Sequence, residues 1–159
     1  MKNICIGLFE GETLPESLAA FKDVKLDLEF GKITTIHTLN QLDCEKIVVV
    51  GLGDGKKNIK EAFSKVEADD YLVYVNENTA YAAGFGLVYG AYSYKETKVY
   101  DFESDGFTAE FEKGKTVASI VNHAREMSDM PSNFLTPDHL VDEAKMVSEK
   151  YGMEIEVLN

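Results

Sequence analysis

The 159-residue chain contains no tryptophan, three prolines, two cysteines and, in Arg125, a single arginine. Each scarcity excludes something. Sixteen basic residues against 28 acidic ones leave a net charge of −12, so the clustered cations that neutralise nucleic-acid phosphates are missing. An anionic membrane surface is disfavoured for the same reason. Cys5 and Cys44 lie far apart in the sequence and form no C-x-x-C pair; they read as two buried reduced thiols, not as a zinc knuckle, a redox motif or a disulfide scaffold. No apolar run approaches the roughly 18 residues of a membrane span, and the run from Ile4 to Phe9 meets Glu10 too early for a secretory signal. The expectation is a soluble, cytoplasmic protein with neither nucleic acid nor a membrane as partner.

What is present suits a packed α/β fold. With 45% hydrophobic residues, nine Phe and eight Tyr, a chain of this size buries about two-thirds of its unfolded surface in one domain, with room for the beginning of a second. Ile4 to Phe9 reads as a first strand, and Pro15 opens a short helix bearing Leu14, Leu18 and Phe21. Val24, Leu26, Leu28 and Phe30 alternate with charged residues, the period of a strand with one wet face. Ile33 to Leu39 is a Thr-rich strand. The unbroken run Ile47 to Val50 suits a central strand covered on both faces, and Tyr71 to Val75 is another buried strand. Ile59, Ala62, Phe63 and Val66 repeat at helical spacing.

A second helix is expected from Asn78 to Tyr94, with Ala80, Ala83, Leu87, Ala91 and Tyr94 on one stripe. Gly84, Gly86 and Gly90 lie inside it, each costing about 1 kcal/mol relative to alanine, and close approach of the backbone to the sheet is the compensation expected. Residues 95 to 114 are polar, acidic and the least regular part. A helix resumes with Val117, Ile120, Val121 and Ala124 and breaks at Pro131. Thr136 then supplies an N-cap, Pro137 the first helical position, Asp138 a favourable first-turn charge, and Lys150 with Gly152 the close. Met153, Ile155 and Val157 alternate with glutamates as a further strand. The architecture expected is α/β: three layers, a mixed central sheet with helices on both faces in the manner of a macro domain, a linker, and a C-terminal helix and strand.

Few patterns carry chemistry. Gly51 to Lys57 sits at a strand-to-helix turn, where amides and a helix N-terminus are able to hold an anion, but a phosphate loop needs four residues between its glycines and a hydroxyl after its lysine. Gly51 and Gly55 enclose three, and Lys57 replaces the hydroxyl, so a plain tight turn is the better reading. His37, His123 and His139 have no metal-site spacing. Asp69 and Asp70 read as solvation at a strand edge. Asp101, Glu103, Asp105, Gly106 and Glu112 fall at positions 1, 3, 5, 6 and 12 of a calcium-loop template, yet Thr108 replaces its usual apolar residue and Gly114 interrupts the exiting helix. A flexible acidic excursion that binds no calcium is expected there.

One stretch, Ala124-Arg125-Glu126-Met127-Ser128-Asp129-Met130-Pro131-Ser132-Asn133-Phe134-Leu135-Thr136-Pro137, resembles the segment A-R-D-L-x-N-x-P-x-N-x-L-T-P of the leucyl aminopeptidase (cytosol aminopeptidase) family. Two further pieces occur in that family's order. Val48 to Gly53 is similar to its strand-plus-glycine turn, and Gly86 to Tyr94 to its G-x-x-x-G-x-Y-x-F helix. Asp129 stands where the family usually has Asn, and Phe85 where an acidic residue commonly precedes the helix glycine. The resemblance implies a macro-like N-terminal α/β domain over 1–114, a linker helix and junction loop over 115–135, and the start of a catalytic domain over 136–159. In that family the catalytic domain binds two divalent ions, zinc, manganese or magnesium, which activate water to remove N-terminal amino acids from peptides. Its signature, N-T-D-A-E-G-R-L, is absent from this sequence, so no catalytic, cofactor-binding or metal-ligating residue carries over, and none is assigned. The partners implied are the catalytic domain of the same polypeptide and further copies, typically in a hexamer. The competing expectation is a free-standing macro-like domain that binds ADP-ribose or a nucleotide through the turn at Gly51 to Gly55.

Overall fold

The computed structural model describes residues 2–94 and 98–158. A five-stranded sheet has the order β2-β3-β1-β4-β5, formed by β1 (Asn3–Leu8), β2 (Ile33–His37), β3 (Lys46–Gly51), β4 (Tyr71–Tyr74) and β5 (Phe102–Ser104). Parallel ladders join β1 to β3, β1 to β4 and β4 to β5, while β2 runs antiparallel to β3. The sheet is therefore mixed, as expected, with β1 at its centre.

Alternation along the strands builds two cores. Cys5, Val48, Val50, Tyr71 and Val73 face α1 (Ile59–Phe63), α2 (Ala80–Gly90) and, through Phe111, α3 (Thr108–Asp129). Ile4, Ile6, Leu8, Ile47 and Val49 point the other way, under Leu18 and Phe21 of a 3-10 helix at Glu16–Phe21. The fold is α/β and three-layer-like, but the second outer layer is this 3-10 helix with irregular segments around it. The starts of three strands are tied by polar side chains. The buried Asn3 accepts from the Glu45 and Lys46 amides through Oδ1, both at 3.1 Å. Its Nδ2 donates to Asp69 Oδ2 at 3.0 Å, beside the Lys46 ammonium at 2.8 Å from the same oxygen.

The chain forms two compact units, 1–122 and 123–159. The second holds the last part of α3 and α4 (Pro137–Tyr151). Here the local signals are met one by one. Thr136 Oγ1 accepts from the His139 amide at 3.3 Å, Pro137 opens the helix, and Gly152 closes it at φ 65°.

Several expectations need correction. Residues 24–30 form no strand. The alternation there is real, with Leu26 and Leu28 packing on one core and Phe30 on the other. The segment crosses the turn after β3, where Gly53 donates to the Leu28 carbonyl at 3.0 Å, instead of lying in a ladder. The α2 glycines approach helices, not the sheet. A Cβ on Gly84 would strike the Phe111 carbonyl of α3, and one on Gly86 or Gly90 would strike the Lys60 or Ser64 carbonyl beside α1. Residues 98–114 are not an irregular excursion, and 95–97 lie outside the described residues. Phe102 is buried and anchors β5, and α3 begins at Thr108, well before Val117. Gly114 does not interrupt it, because its missing side chain is where α3 meets the Tyr81 carbonyl of α2. Residues 153–158, finally, take no ladder partner among the described residues and are not a strand.

Candidate functional site

The Gly51 to Lys57 turn spends several of its polar groups on the fold. The Gly51, Leu52 and Gly53 amides donate to the carbonyls of Lys32, Leu8 and Leu28, at 2.8, 2.9 and 3.0 Å. The Lys56 amide donates to Asp54 Oδ1 at 3.1 Å, and its ammonium pairs with Asp54 Oδ2 at 2.6 Å. At the start of α1, Asn58 caps by accepting from the Lys60 amide at 3.3 Å. An anion at these particular groups would have to displace these partners. Gly53 and Gly55 adopt φ 65° and 79°, and a Cβ on Gly51 would meet the Glu29 carbonyl. The glycines serve a tight turn under residues 26–30, as the sequence suggested.

One concavity at the sheet's carboxyl edge was not visible in the sequence. The chain turns from one side of β1 to the other between β3 and β4, and the crevice outside the carboxyl ends of β1 and β4 is where open α/β sheets hold ligands. A cleft of about 450 Å³ lies there, lined by Gly7, Gly11, Glu12, Asn76, Thr79 and Asp105 among others. Its polar groups are also engaged. Glu12 Oε2 accepts from the Phe9 amide at 2.8 Å, Asp105 Oδ1 from the Val75 amide at 2.9 Å, and Thr79 Oγ1 from the Asn76 amide at 2.9 Å. No lysine or arginine lines it, and its two carboxylates oppose a phosphate. The only foreshadowing was Asn76 and Thr79 ahead of a helix, a turn-and-cap pattern.

The calcium-template residues are spread over β5, α3 and the loops that flank β5. Asp101 precedes β5, Glu103 lies within it, Asp105 follows it, and Glu112 is in the second turn of α3. Lys2 bridges Asp101 and Glu103 at 2.7 and 2.5 Å, and the Asp101 amide donates to Asp70 Oδ1 at 2.8 Å. Asp69 and Asp70 thus pin strand ends instead of merely solvating an edge. The hydrogen bond from the Lys46 ammonium holds the Asp69 carboxyl below the usual carboxylate range. His37 is exposed on β2, His139 is exposed in the first turn of α4, and His123 Nε2 lies 3.3 Å from Glu143 Oε2. Among the described residues no three His, Cys, Asp or Glu side chains converge as a metal group would require. Both cysteines are buried and free, and desolvation pushes the Cys5 thiol up to about 12.

The recognisable sequence blocks land on architecture. Val48 to Gly53 is β3 with its turn, and Gly86 and Gly90 are contact points of α2 with α1. Arg125 to Pro137 ends α3, turns at Pro131, whose carbonyl accepts from the Phe134 and Leu135 amides at 2.8 and 3.0 Å, and caps α4. No family model matches the chain. The probable cytosol aminopeptidase of Exiguobacterium sibiricum is 30% identical over 151 residues, covering 80% of this chain and 31% of the relative. The cytosol aminopeptidase of Coxiella burnetii superposes with a TM-score of 0.65 at 16% identity, covering 95% of this chain and 36% of that one. The chain is similar to the N-terminal domain of the leucyl aminopeptidase family. The bottromycin maturation enzyme BotP in complex with Mn shares the fold of this leucyl aminopeptidase-like domain, with a TM-score of 0.70 at 16% identity over 95% of this chain and 37% of that one. The chain spans about a third to two fifths of the length of the curated relatives that it matches across most of its own length. Among the described residues no helix is long and apolar enough to cross a membrane.

Proposed function

We propose that this chain is the non-catalytic N-terminal region of a cytoplasmic, metal-dependent aminopeptidase of the leucyl aminopeptidase type, serving assembly and positioning. The observation that carries the reading is the 30% identity to a cytosol aminopeptidase over 80% of this chain. It is supported by the use to which the shared blocks are put here: a turn, a helix crossing and a pair of helix ends, none of them a reacting group. The two divalent ions, zinc, manganese or magnesium, belong to the catalytic domain of such a protein, where they activate water for peptide hydrolysis. The described side chains of this chain do not fit them, since no metal-ligating group of three forms, and no step of the hydrolysis is assigned to its residues. The partners in this reading are the catalytic domain of the same polypeptide and further copies in a homo-oligomer, with no role for nucleic acid or membrane. Incubating the chain with leucine p-nitroanilide and excess manganese is the direct test. No product is expected; metal-dependent turnover that survives repurification would overturn the assignment.

A further inference from the structure

The two edges of the sheet are unlike. β5 is three residues long, has the exposed Glu103 at its centre and is flanked by Asp101 and Asp105. A short edge bearing charge resists further pairing. β2 is five residues long, Ile33-Thr34-Thr35-Ile36-His37, and holds no lysine, proline, aspartate or glutamate in a chain of net charge −12. Its register decides where its backbone groups point. At its two ends the Gly51 amide donates to the Lys32 carbonyl at 2.8 Å and the Thr38 amide to the Glu45 carbonyl at 3.0 Å. Between them Thr34 stands opposite Val49 and Ile36 opposite Ile47, so the even-numbered residues bond to β3. The amides and carbonyls of Ile33, Thr35 and His37 therefore point away from the sheet, and they take no hydrogen-bond partner among the described residues. All three residues are exposed.

An edge with open backbone groups is a template for another strand, and this one is complementary to itself. Laid antiparallel across a two-fold axis at Thr35, the strand sets Thr35 opposite the second copy's Thr35 and Ile33 opposite its His37. Those are the residues whose amides and carbonyls point outward, so each pair exchanges two hydrogen bonds. Threonine opposite threonine is a favourable cross-strand pair. The nearest cation, Lys32, falls opposite Thr38 and about 20 Å from its own counterpart, a distance over which salt screens the repulsion. The strand itself thus brings no like charges together.

We propose that β2 is a self-pairing edge, through which a second copy of this chain extends the sheet antiparallel, Thr35 to Thr35. The pairing gives the homo-oligomer of the aminopeptidase reading one concrete contact, and it is read without any assay of turnover, so either fails without the other. A contact of five residues a side belongs to the weak class, so sedimentation velocity is run on the 159-residue chain from about 1 µM to about 1 mM. A monomer passing to a dimer is expected. Amide exchange at Ile33, Thr35 and His37 should slow as concentration rises, while Thr34 and Ile36, already bonded to β3, stay unchanged. Thr35→Pro removes the central outward donor without touching a bond to β3 and should weaken association about tenfold or more. Thr35→Lys and Thr35→Glu read the same register with the backbone left intact: each alone sets like charges face to face and weakens association, and an equal mixture associates more tightly than either. A chain that stays monomeric throughout, or association that Thr35→Pro leaves unchanged in a folded chain, would overturn the pairing. So would charged variants that gain nothing from mixing, or slowed exchange that spares the three outward amides. Species growing beyond a dimer would overturn it as well, because β2 would then be meeting a different edge in an open array.

Discussion

Helices α2 and α4 invert each other. The eleven residues of α2 include three glycines, no charged side chain and an N-cap residue that makes no side-chain cap, yet six of them are buried. The fifteen residues of α4 have a capped start, a proline at the first position, an acid in the first turn, a lysine in the last and a left-handed glycine close, and one of them is buried. Local signals decide where a helix begins and ends, whereas packing supplies most of its stability. In α2 the glycines are the packing, because they let the carbonyls of neighbouring helices come close. In α4 the local signals have to hold the helix while its stripe stays wet.

The largest expected effect strikes the packed side of this comparison. Phe111 is fully buried and carries α3 into the core shared with α2, and Phe111→Ala should cost about 3–5 kcal/mol, read by urea denaturation of the 159-residue chain. A loss below about 1 kcal/mol would mean that α3 is not anchored there. Next comes a prediction of sign. Intrinsic propensity says that alanine in place of Gly84 or Gly86 stabilises a helix by about 1 kcal/mol. The clash with the Phe111 or Lys60 carbonyl predicts the opposite, a loss of about 1–3 kcal/mol. Stabilised variants would show that the glycines are incidental.

On the other side of the comparison, Thr136→Ala removes the α4 cap and should cost that helix about 1 kcal/mol. The buried Cys5 and Cys44 report on the first unit alone, so their slow reaction with a disulfide reagent should not change. Faster thiol labelling in this variant would mean that the two units unfold together. The smallest effect concerns Asp69. Its folded pKa lies below the unfolded value because the Lys46 ammonium hydrogen-bonds it, so its contribution is present above the unfolded pKa of about 3.9 and fades as pH falls through the folded value. With the Asp69 side chain 38% exposed, solvent screening keeps this well under about 1 kcal/mol. Asp69→Asn should therefore lower the melting temperature slightly at pH 7 and not at pH 2; an equal drop at both would assign the loss to geometry, not charge.

The same contrast explains which features could be read in advance. The unbroken run of β3, the buried thiols, the plain turn at Gly51 and the two ends of α4 depend on neighbours in sequence or on composition, and the structure agrees with each. Features that needed a distant partner went astray. Leu26 and Leu28 pack on one core and Phe30 on the other, with no ladder between them and a neighbouring strand. Phe102 becomes a strand only beside Tyr71, and Lys2 neutralises the acidic residues around it. The destinations of the α2 glycines depended on Lys60, Ser64 and Phe111, more than twenty residues away. The cleft between β1 and β4 could not be foreseen, because topology brings Glu12, Asn76, Thr79 and Asp105 together.

Native-state hydrogen exchange on the 159-residue chain tests the contrast most directly, since it reads local opening residue by residue. The account predicts that amides of β1, β3 and glycine-rich α2 exchange only through global unfolding, while those of well-capped α4 exchange orders of magnitude faster through local opening. Protection in α4 equal to that of α2, in the chain alone, would contradict it.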